Sequence, residues 1–259
     1  MTTNNAFTEV IENLHFSLDH KMKTATLLPK MNEHYSGDII LPEKVKDNNG
    51  VEYSVIALED SCFENCNGLT SIDIPSSVTS LGDHCFGGCS GLTSIEIPDS
   101  ITSVEEYCFS NCKGLTSIKI PSSVTSLGSY CFRGCSGLTS IELPSSITSL
   151  GSCCFADCSG LTSIEIPSFV SSLGRMCFED CSSLTSIKIP SSVTSLGENC
   201  FMCSFNLKSI YFKGMDPKYL SEAFIPTTCR IYVLDEYLVD YKYALGTDYM
   251  YIYTWNPKE

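Results

Sequence analysis

The sequence predicts an α/β repeat solenoid that is rich in β-strand, and three observations predict it. A Cys-Phe pair recurs at a constant interval of twenty-three positions, six other apolar positions recur with it, and the pattern fades toward both ends of the 259-residue chain. A fixed period of this length indicates units that bury their apolar sides only by stacking on their neighbours. The pairs stand at Cys62-Phe63, Cys85-Phe86, Cys108-Phe109, Cys131-Phe132, Cys154-Phe155, Cys177-Phe178 and Cys200-Phe201.

The first half of each repeat predicts a tight turn followed by a strand. In the first repeat, Cys62, Cys66 and Leu69 are spaced as on one side of a helical or 3₁₀ turn. Ile72 and Ile74 then alternate with polar residues, which is the periodicity of a strand with one buried face. We therefore expect the apolar side of both elements, and the Phe of each pair, to lie inside the solenoid.

The second half of each repeat predicts a shorter extended segment. Pro75 ends the first strand, because proline has no N–H to donate to a ladder. Val78 and Leu81 are inward positions in a Ser/Thr-rich stretch, and the glycine that follows is expected to form a permissive turn. That glycine stands at Gly82, Gly128, Gly151, Gly174 and Gly197.

The limits of the pattern predict three parts. These are an N-terminal β cap at residues 1–50, a repeat array at 51–212 and a C-terminal cap at 213–259. Caps are expected because the end rungs of a solenoid would otherwise expose apolar surface and a strand edge. Within the first cap, residues 14–18 and 24–28 have the alternation of strands.

The C-terminal cap is predicted to contain a helix and a strand. Asp235 is the expected N-cap of a helix that runs through Leu245 and closes at Gly246, and residues 249–253 read as a strand. Nine of the thirteen tyrosines, together with Trp255, lie after residue 210. We interpret these aromatic residues as part of a half-buried cap, and a recognition surface is the alternative.

The charge of the chain excludes several classes of partner. The net charge is −14 and no Lys/Arg cluster is present, so neither nucleic acid nor an anionic membrane surface is an expected partner. Membrane insertion is not expected, because no apolar run is long enough to span a bilayer. Met1–Phe16 lacks the regions of a signal peptide, which leaves open a cytoplasmic protein or one whose export signal has been removed.

The sixteen cysteines are predicted to be buried free thiols. Disulfide formation within the Cys-Phe column, which contains seven cysteines, would leave one sulfur unpaired. Free Cys, in contrast, is among the most buried residue types. Reduced thiols suit the cytoplasm or an oxygen-poor exterior. Besides the Cys-Phe column, a second column stands four residues later at Cys66, Cys89, Cys112, Cys135, Cys158 and Cys181.

One outward column on the main strand varies while its Thr-Ser neighbours repeat. Because interior positions are set by stacking, this column is the candidate partner-binding strip, roughly 30 Å long at about 4.8 Å per rung. The alternative is a solvated sheet face with cross-strand ion pairs such as Glu96–Lys119–Glu142. A second variable set beside the Cys-Phe pairs is expected on the opposite side and shows no recognition signature. The candidate column consists of Asp73, Glu96, Lys119, Glu142, Glu165, Lys188 and Tyr211.

No catalytic or metal-binding constellation can be assembled from the sequence, and no cofactor is expected. The four histidines all lie at or before His84, so a Cys-His pair could involve only the first rungs. Neighbouring carboxylates such as Glu142 and Glu165 would face solvent, with nothing to separate their pKa values for acid–base chemistry. The C-x₃-C spacing differs from that of zinc knuckles.

The repeat resembles the BspA-like leucine-rich-repeat family. The pattern I-x-I-P-S-S-V-T-S-L-G-x-x-C-F-x-x-C-x-x-L-T-S covers residues 51–212, and the flanks at Gly37–Val45 and Cys229–Gly246 are also similar. The family's usual unit has Ala-Phe where this chain has Cys-Phe. The resemblance implies a right-handed parallel solenoid with its main strands on a concave face, often displayed on microbial cells for adhesion or protein binding.

Two functions of different classes follow. The first is a non-enzymatic interaction module, with a monomer favoured, that binds a protein or cell-surface ligand through the concave column. The second is a structural or adhesive spacer without a discrete site. A hydrolytic or metal-dependent enzyme is a third, disfavoured alternative.

Overall fold

The computed structural model describes residues 6–214, 220, 222–245 and 251–256. Most of its regular structure is strand, and one α-helix, α1 (Leu238–Leu245), lies within this described part. The strands are β1 (Ala6–Ile11), β2 (Leu14–Asp19), β3 (Thr24–Leu27), β4 (Gly37–Ile40), β5 (Lys44–Lys46), β6 (Glu52–Leu58), β7 (Leu69–Asp73), β8 (Ser80–Leu81), β9 (Ser94–Glu96), β10 (Ser117–Lys119), β11 (Ser126–Leu127), β12 (Ser140–Ile141), β13 (Ser149–Leu150), β14 (Ser163–Ile164), β15 (Ser172–Leu173), β16 (Ser186–Ile189), β17 (Ser195–Leu196), β18 (Ser209–Phe212), β19 (Arg230–Val233) and β20 (Ile252–Thr254).

The predicted parallel solenoid is confirmed. Strands β4, β7, β9, β10, β12, β14, β16, β18, β19 and β20 follow one another along one side, and we name this set the main ladder and its outward side the concave face. The pairing within it is parallel, with equivalent residues of successive repeats side by side, as Ser94 beside Ser117 and Ser186 beside Ser209. The last two steps are each shorter by two positions, since Ile210 lies beside Ile231 and Ile231 beside Ile252.

The second extended segment of each repeat also forms a parallel ladder, but one rung interrupts it. Strands β11, β13, β15 and β17 pair in sequence, as do β6 and β8. Between these groups, Val104 makes only an isolated bridge to Leu127. The following residue is Glu105, where five other repeats have glycine.

That glycine has a different role from the permissive turn predicted for it. None of Gly82, Gly128, Gly151, Gly174 and Gly197 adopts a positive φ. A Cβ on Gly151 would lie 2.6 Å from the carbonyl carbon of Gly128, and the other four approach the preceding rung similarly closely. Glycine is therefore needed because adjacent rungs pass too close for a side chain, and Glu105 interrupts the pairing for the same reason.

The N-terminal strands predicted at residues 14–18 and 24–28 are confirmed as β2 and β3. Strands β1, β2 and β3 pair antiparallel, and β3 then pairs parallel to β6. Strand β4 pairs parallel to β7, so the main ladder already begins before residue 50.

Stacked aromatic rings fill the centre of the array, as predicted for the Phe column. All seven side chains from Phe63 to Phe201 are fully buried. Neighbouring rings lie 5.2 to 6.0 Å apart and within 8° of parallel, as in the pairs Phe63–Phe86 and Phe178–Phe201. The turns around them close with i→i−3 hydrogen bonds, such as Cys66 N to Phe63 O at 3.0 Å, and this described part of the array contains no α-helix.

The cysteine columns are buried free thiols, as predicted. In the second column the five thiols after Cys66 each donate to the carbonyl oxygen of the Phe one rung earlier, as Cys89 Sγ does to Phe63 O at 3.0 Å. Ser204 replaces the last Cys and makes the same bond, to Phe178 O at 2.8 Å. This column is therefore selected for a small buried donor as well as for volume.

The predicted start of the C-terminal helix is wrong. Leu234 is the N-cap of a 3₁₀ helix at Asp235–Tyr237, Asp235 lies in its first turn, and no side chain caps it. α1 follows directly and ends at Leu245 within the described residues; Gly246, predicted to close it, lies outside them. Of the strand predicted at 249–253, residues 249 and 250 are likewise outside, and Ile252 and Tyr253 belong to β20.

Candidate functional site

The structure aligns the seven candidate residues in one column on the concave face. Six of them are exposed and Tyr211 is half-buried. Their main-chain registers coincide: Lys119 lies beside Glu96, Glu165 beside Lys188, and Lys188 beside Tyr211. The inward alternation of Ile72, Ile95 and their equivalents produces this arrangement, because every second residue of a strand points to the opposite side.

Charges in the column are paired at one end and unpaired in the middle. Lys119 forms an ion pair with Glu96, as expected, but within the described residues it forms none with Glu142. Glu142 and Glu165 occupy neighbouring rungs and have no cation partner in the part of the chain that the structure describes. Like charges in directly opposed cross-strand positions are destabilising.

One cation lies on each side of this pair along the column: Lys119 is paired with Glu96, and Lys188 extends toward Trp255. The Nζ atom of Lys188 lies 5.9 Å from the centroid of the Trp255 ring, a cation–π arrangement. The carboxylate of Glu165 therefore stays available to a ligand.

A hollow of about 730 Å³ opens around the two glutamates. Ile166 and Pro167 are buried below it, Leu143 is partly buried, and Lys213 lies at its edge. The hollow therefore combines aliphatic residues with two carboxylates that form no ion pair among the described residues and with one cation, Lys213, and its two carboxylates suit a side chain with an aliphatic stem and a positive end.

Several hydroxyl groups of the Thr-Ser rows beside the column bond to a neighbouring rung. Thr116 Oγ1 donates to Thr93 O at 3.1 Å, and Thr162 Oγ1 donates to Thr139 O at 3.0 Å. At the first rung, Asp38 accepts hydrogen bonds from Ser71 and Thr70, which lower its pKa in that order of importance. These hydroxyls bind neighbouring rungs together, whereas in the variable column Glu142 and Glu165 make no such contact among the described residues.

Sequence reasoning missed the continuation of the column beyond Tyr211. Tyr211 stacks on Tyr232 at 4.6 Å, and Tyr232 stacks on Tyr253 at 5.6 Å. Trp255 packs its ring against Tyr211 at 5.1 Å in an edge-on arrangement. The signal was present as Ile-Tyr at 210, 231 and 252, but these pairs are closer together by two positions than the regular repeat requires.

A second aromatic stack lies beside the Cys-Phe turns, where the sequence indicated no recognition signature. His84 stacks on Tyr107, and Tyr107 on Tyr130, both at 4.4 Å. All three residues have φ between 55° and 59°, a left-handed conformation that is uncommon for aromatic residues. Arg133 lies over the Tyr130 ring at 5.9 Å. Their spacing of one full repeat could have revealed this stack.

The buried thiols are poor nucleophiles. Burial raises the pKa of Cys85, Cys131 and Cys177 well above the ordinary value, so these thiols stay protonated at neutral pH. Among the described residues, no group of three or more His, Cys, Asp and Glu side chains is placed to hold a metal ion. In the same part of the chain, no helix has the length and apolar character to cross a bilayer.

Comparison with known proteins gives concordant matches. A family model described as "BspA type Leucine rich repeat region" matches in six copies, over residues 56–159 and 104–225. The T. pallidum leucine-rich repeat protein TpLRR is 27% identical, covers 75% of this chain and 87% of its own, and superposes with a TM-score of 0.64. A leucine-rich repeat protein from Bacteroides ovatus is 23% identical, with 88% and 71% covered and a TM-score of 0.58, a likeness in fold alone. None of the curated proteins matches the chain.

Proposed function

Because the chain belongs to the BspA type leucine-rich-repeat family, we propose that it is a non-enzymatic module that binds a protein or cell-surface ligand through its concave face. Adhesion at a cell surface is the finer form of this proposal. The observation that carries it is the pair Glu142 and Glu165, two like charges in adjacent rungs that no described cation neutralises.

Physical chemistry supports a ligand at this position. The two carboxylates directly follow the paired residues Ile141 and Ile164 of adjacent parallel strands, so their like charges repel, and Lys188 one rung away extends toward Trp255. A cationic side chain of a partner would relieve the repulsion and bury apolar surface against Leu143 and Pro167. The partner is therefore proposed to present Lys or Arg at this hollow.

The test is capture of partners by the intact chain from an extract of surface proteins, followed by affinity measurement with the purified captured protein. Glu142→Lys with Glu165→Lys should abolish the binding. The matched control reverses Glu59 and Glu106, which are exposed in the turns beside the Cys-Phe pairs and change the net charge equally. Unchanged affinity in the Glu142/Glu165 variant would exclude this face.

The uniform Thr-Ser rows favour a second candidate, a structural or adhesive spacer. The Thr116 and Thr162 hydroxyl groups donate to the preceding rung, which links rungs of the array without requiring a ligand. Attachment of the chain to cells with no captured protein, and with no effect of the Glu142/Glu165 reversal, would favour the spacer.

A further inference from the structure

We propose that the last rungs of the concave face bind an acidic segment of the partner protein, through Lys208 and Arg230 beside the stacked rings of Tyr211 and Tyr232. This inference rests on the proposed function and names the chemistry of the partner at one end of the same face.

The two cations replace residues that are hydroxyl-bearing in the regular rungs. Lys208 takes the place of Thr185 in the Thr row, and Arg230 lies beside Ser209 in the main ladder. The two are direct neighbours, because Arg230 N donates to Lys208 O at 2.8 Å. Both are exposed, and neither forms an ion pair with any residue that the structure describes.

Two neighbouring cations that form no ion pair among the described residues are notable in a chain with 30 acidic and 16 basic residues. Lys119, Arg133 and Arg175 each pair with an acid one rung away. Lys208 and Arg230 form no such pair within the described residues, and both line one hollow, where their like charges repel each other. An external anion would remove the repulsion in the same way that a cation would at the glutamate pair.

A hollow of about 330 Å³ lies between these side chains. It offers two positive groups, and hydroxyl groups that can donate hydrogen bonds surround them. The planar guanidinium of an arginine binds a carboxylate with two parallel hydrogen bonds. The lining residues are Lys208, Ser209, Tyr211, Thr228, Arg230 and Tyr232.

The orientation of the rings distinguishes a carboxylate from a sugar ring. Tyr211 and Tyr232 are 4.6 Å apart and within 10° of parallel, so each covers a face of the other along the ladder. Their outward parts are edges and hydroxyl groups, and aromatic edges carry positive partial charge. The surface therefore attracts anions and offers no flat ring face between these rungs for stacking a saccharide.

The two ends of the face together define the partner. Glu142 and Arg230 are separated by four rungs, or roughly 19 Å at about 4.8 Å each. A protein segment that is basic at one end and acidic at the other would satisfy both, and its orientation along the solenoid would be fixed. The proposal therefore specifies the direction in which the partner segment runs along the solenoid, as well as where it binds.

The experiment uses the fluorescence of Trp255, the only tryptophan in the chain, which contacts Tyr211. The full chain is titrated with a heptapeptide of Asp and Glu, and with the same peptide carrying Asn and Gln. We expect saturable binding of the acidic peptide alone. The variant Lys208→Thr with Arg230→Ser restores residue types of the regular rungs and should weaken binding about tenfold or more.

A matched variant, Lys46→Ser with Lys113→Ser, removes two exposed charges that form no ion pair among the described residues, and it should bind as the parent does. Equal weakening in both variants, or equal binding of the two peptides, would overturn the proposal by showing general charge attraction. Binding of a sulfated glycan without binding of the acidic peptide would overturn it as well. If the Thr/Ser variant melts early, Lys208→Gln with Arg230→Gln provides the same test.

The captured partner separates this inference from the proposed function. If the Glu142/Glu165 reversal abolishes binding of the captured partner and the Lys208/Arg230 variant does not, the proposed concave binding face is supported. The proposed contact with an acidic segment is then contradicted. If neither variant weakens binding of the captured partner, both proposals are contradicted.

Discussion

The middle rungs and the last rungs belong to the same series of parallel main-ladder strands, which hydrogen-bond as the separate groups β9–β10, β12–β14 and β16–β18–β19–β20, but they differ in almost every outward residue. In the middle, Thr-Ser rows bond to the preceding rung and Lys119 pairs with Glu96. At the end, each repeat is shorter by two positions, the Cys-Phe pair disappears, and tyrosines and two cations without an ion pair among the described residues take the outward positions. Along both regions the inward aliphatic residues persist, as Ile210, Ile231 and Ile252 illustrate.

The difference teaches which positions stacking constrains. An inward side chain must fit the rungs on both sides, so it changes little from repeat to repeat. An outward side chain has no such requirement, and its departures from the repeat are therefore the places to look for recognition. The four predictions below test this separation.

Alkaline pH should have the largest effect and should act on the middle rungs. In the unfolded chain the thiols ionise near pH 8.5 to 9. In the folded chain burial raises their pKa, to about 12 for Cys112 and Cys158. The folded state then binds more protons, so stability is complete below pH 8.5 and falls as pH rises toward 12, by about 1.4 kcal/mol per unit for each such thiol.

Thermal melts under reducing conditions at pH 7, 8, 9 and 10 measure this loss. The Cys131→Ala/Cys135→Ala variant should show a shallower slope, because two thiols no longer contribute. The last rungs contain a single buried Cys, Cys229, among their described residues. Their amides should therefore lose hydrogen-exchange protection at a higher pH than the amides of the middle rungs. A melting temperature that is flat to pH 10 would contradict the buried state of the columns.

Phe132→Ala should reduce the free energy of unfolding by about 3–5 kcal/mol, because it empties the centre of the ring stack. Denaturant unfolding gives the value. Phe169→Ser is the matched control: Phe169 is 67% exposed and stands where Ser146 donates to Val124 O in the preceding repeat. It should be neutral or slightly stabilising. Similar losses for both would deny any difference between inward and outward positions.

Within one rung, the two cysteine columns should respond differently to serine. Cys135→Ser should be nearly neutral, because its hydroxyl can donate to Phe109 O as the thiol does. Cys131→Ser should cost about 1–3 kcal/mol, because a fully buried hydroxyl would lack that partner. Chemical denaturation of both variants measures the difference, and equal losses would be incompatible with the donor role of the second column.

Tyr232→Thr should have the smallest effect, about 0.2–1 kcal/mol, which is typical of a cross-strand aromatic pair. Differential scanning calorimetry would detect it as a small shift in melting temperature. Tyr107→Asn, in the stack beside the Cys-Phe turns, is the comparison, because Asn tolerates the left-handed backbone there, as Asn199 does in a later repeat. A loss as large as that of Phe132→Ala would mean that the last rungs depend on their outward residues for folding.

The inward columns, the parallel ladder and the placement of the candidate column could be predicted, because they follow from one repeated spacing. The role of the glycine column could not be predicted, because the backbone distance between adjacent rungs cannot be read from the types of residue in the repeat. Tyr232 and Arg230 were missed because the period becomes shorter in the last rungs. The real helix start near Asp235 was missed because Leu234, which has no capping side chain, occupies the N-cap.

Hydrogen exchange of the full chain, with and without the purified captured protein, tests the central separation most directly. We expect added protection in main-ladder peptides from Glu142 to Arg230, and unchanged exchange in the second-ladder strands β11, β13, β15 and β17. Protection confined to the turns that carry His84, Tyr107 and Tyr130 would contradict the assignment of recognition to the concave face.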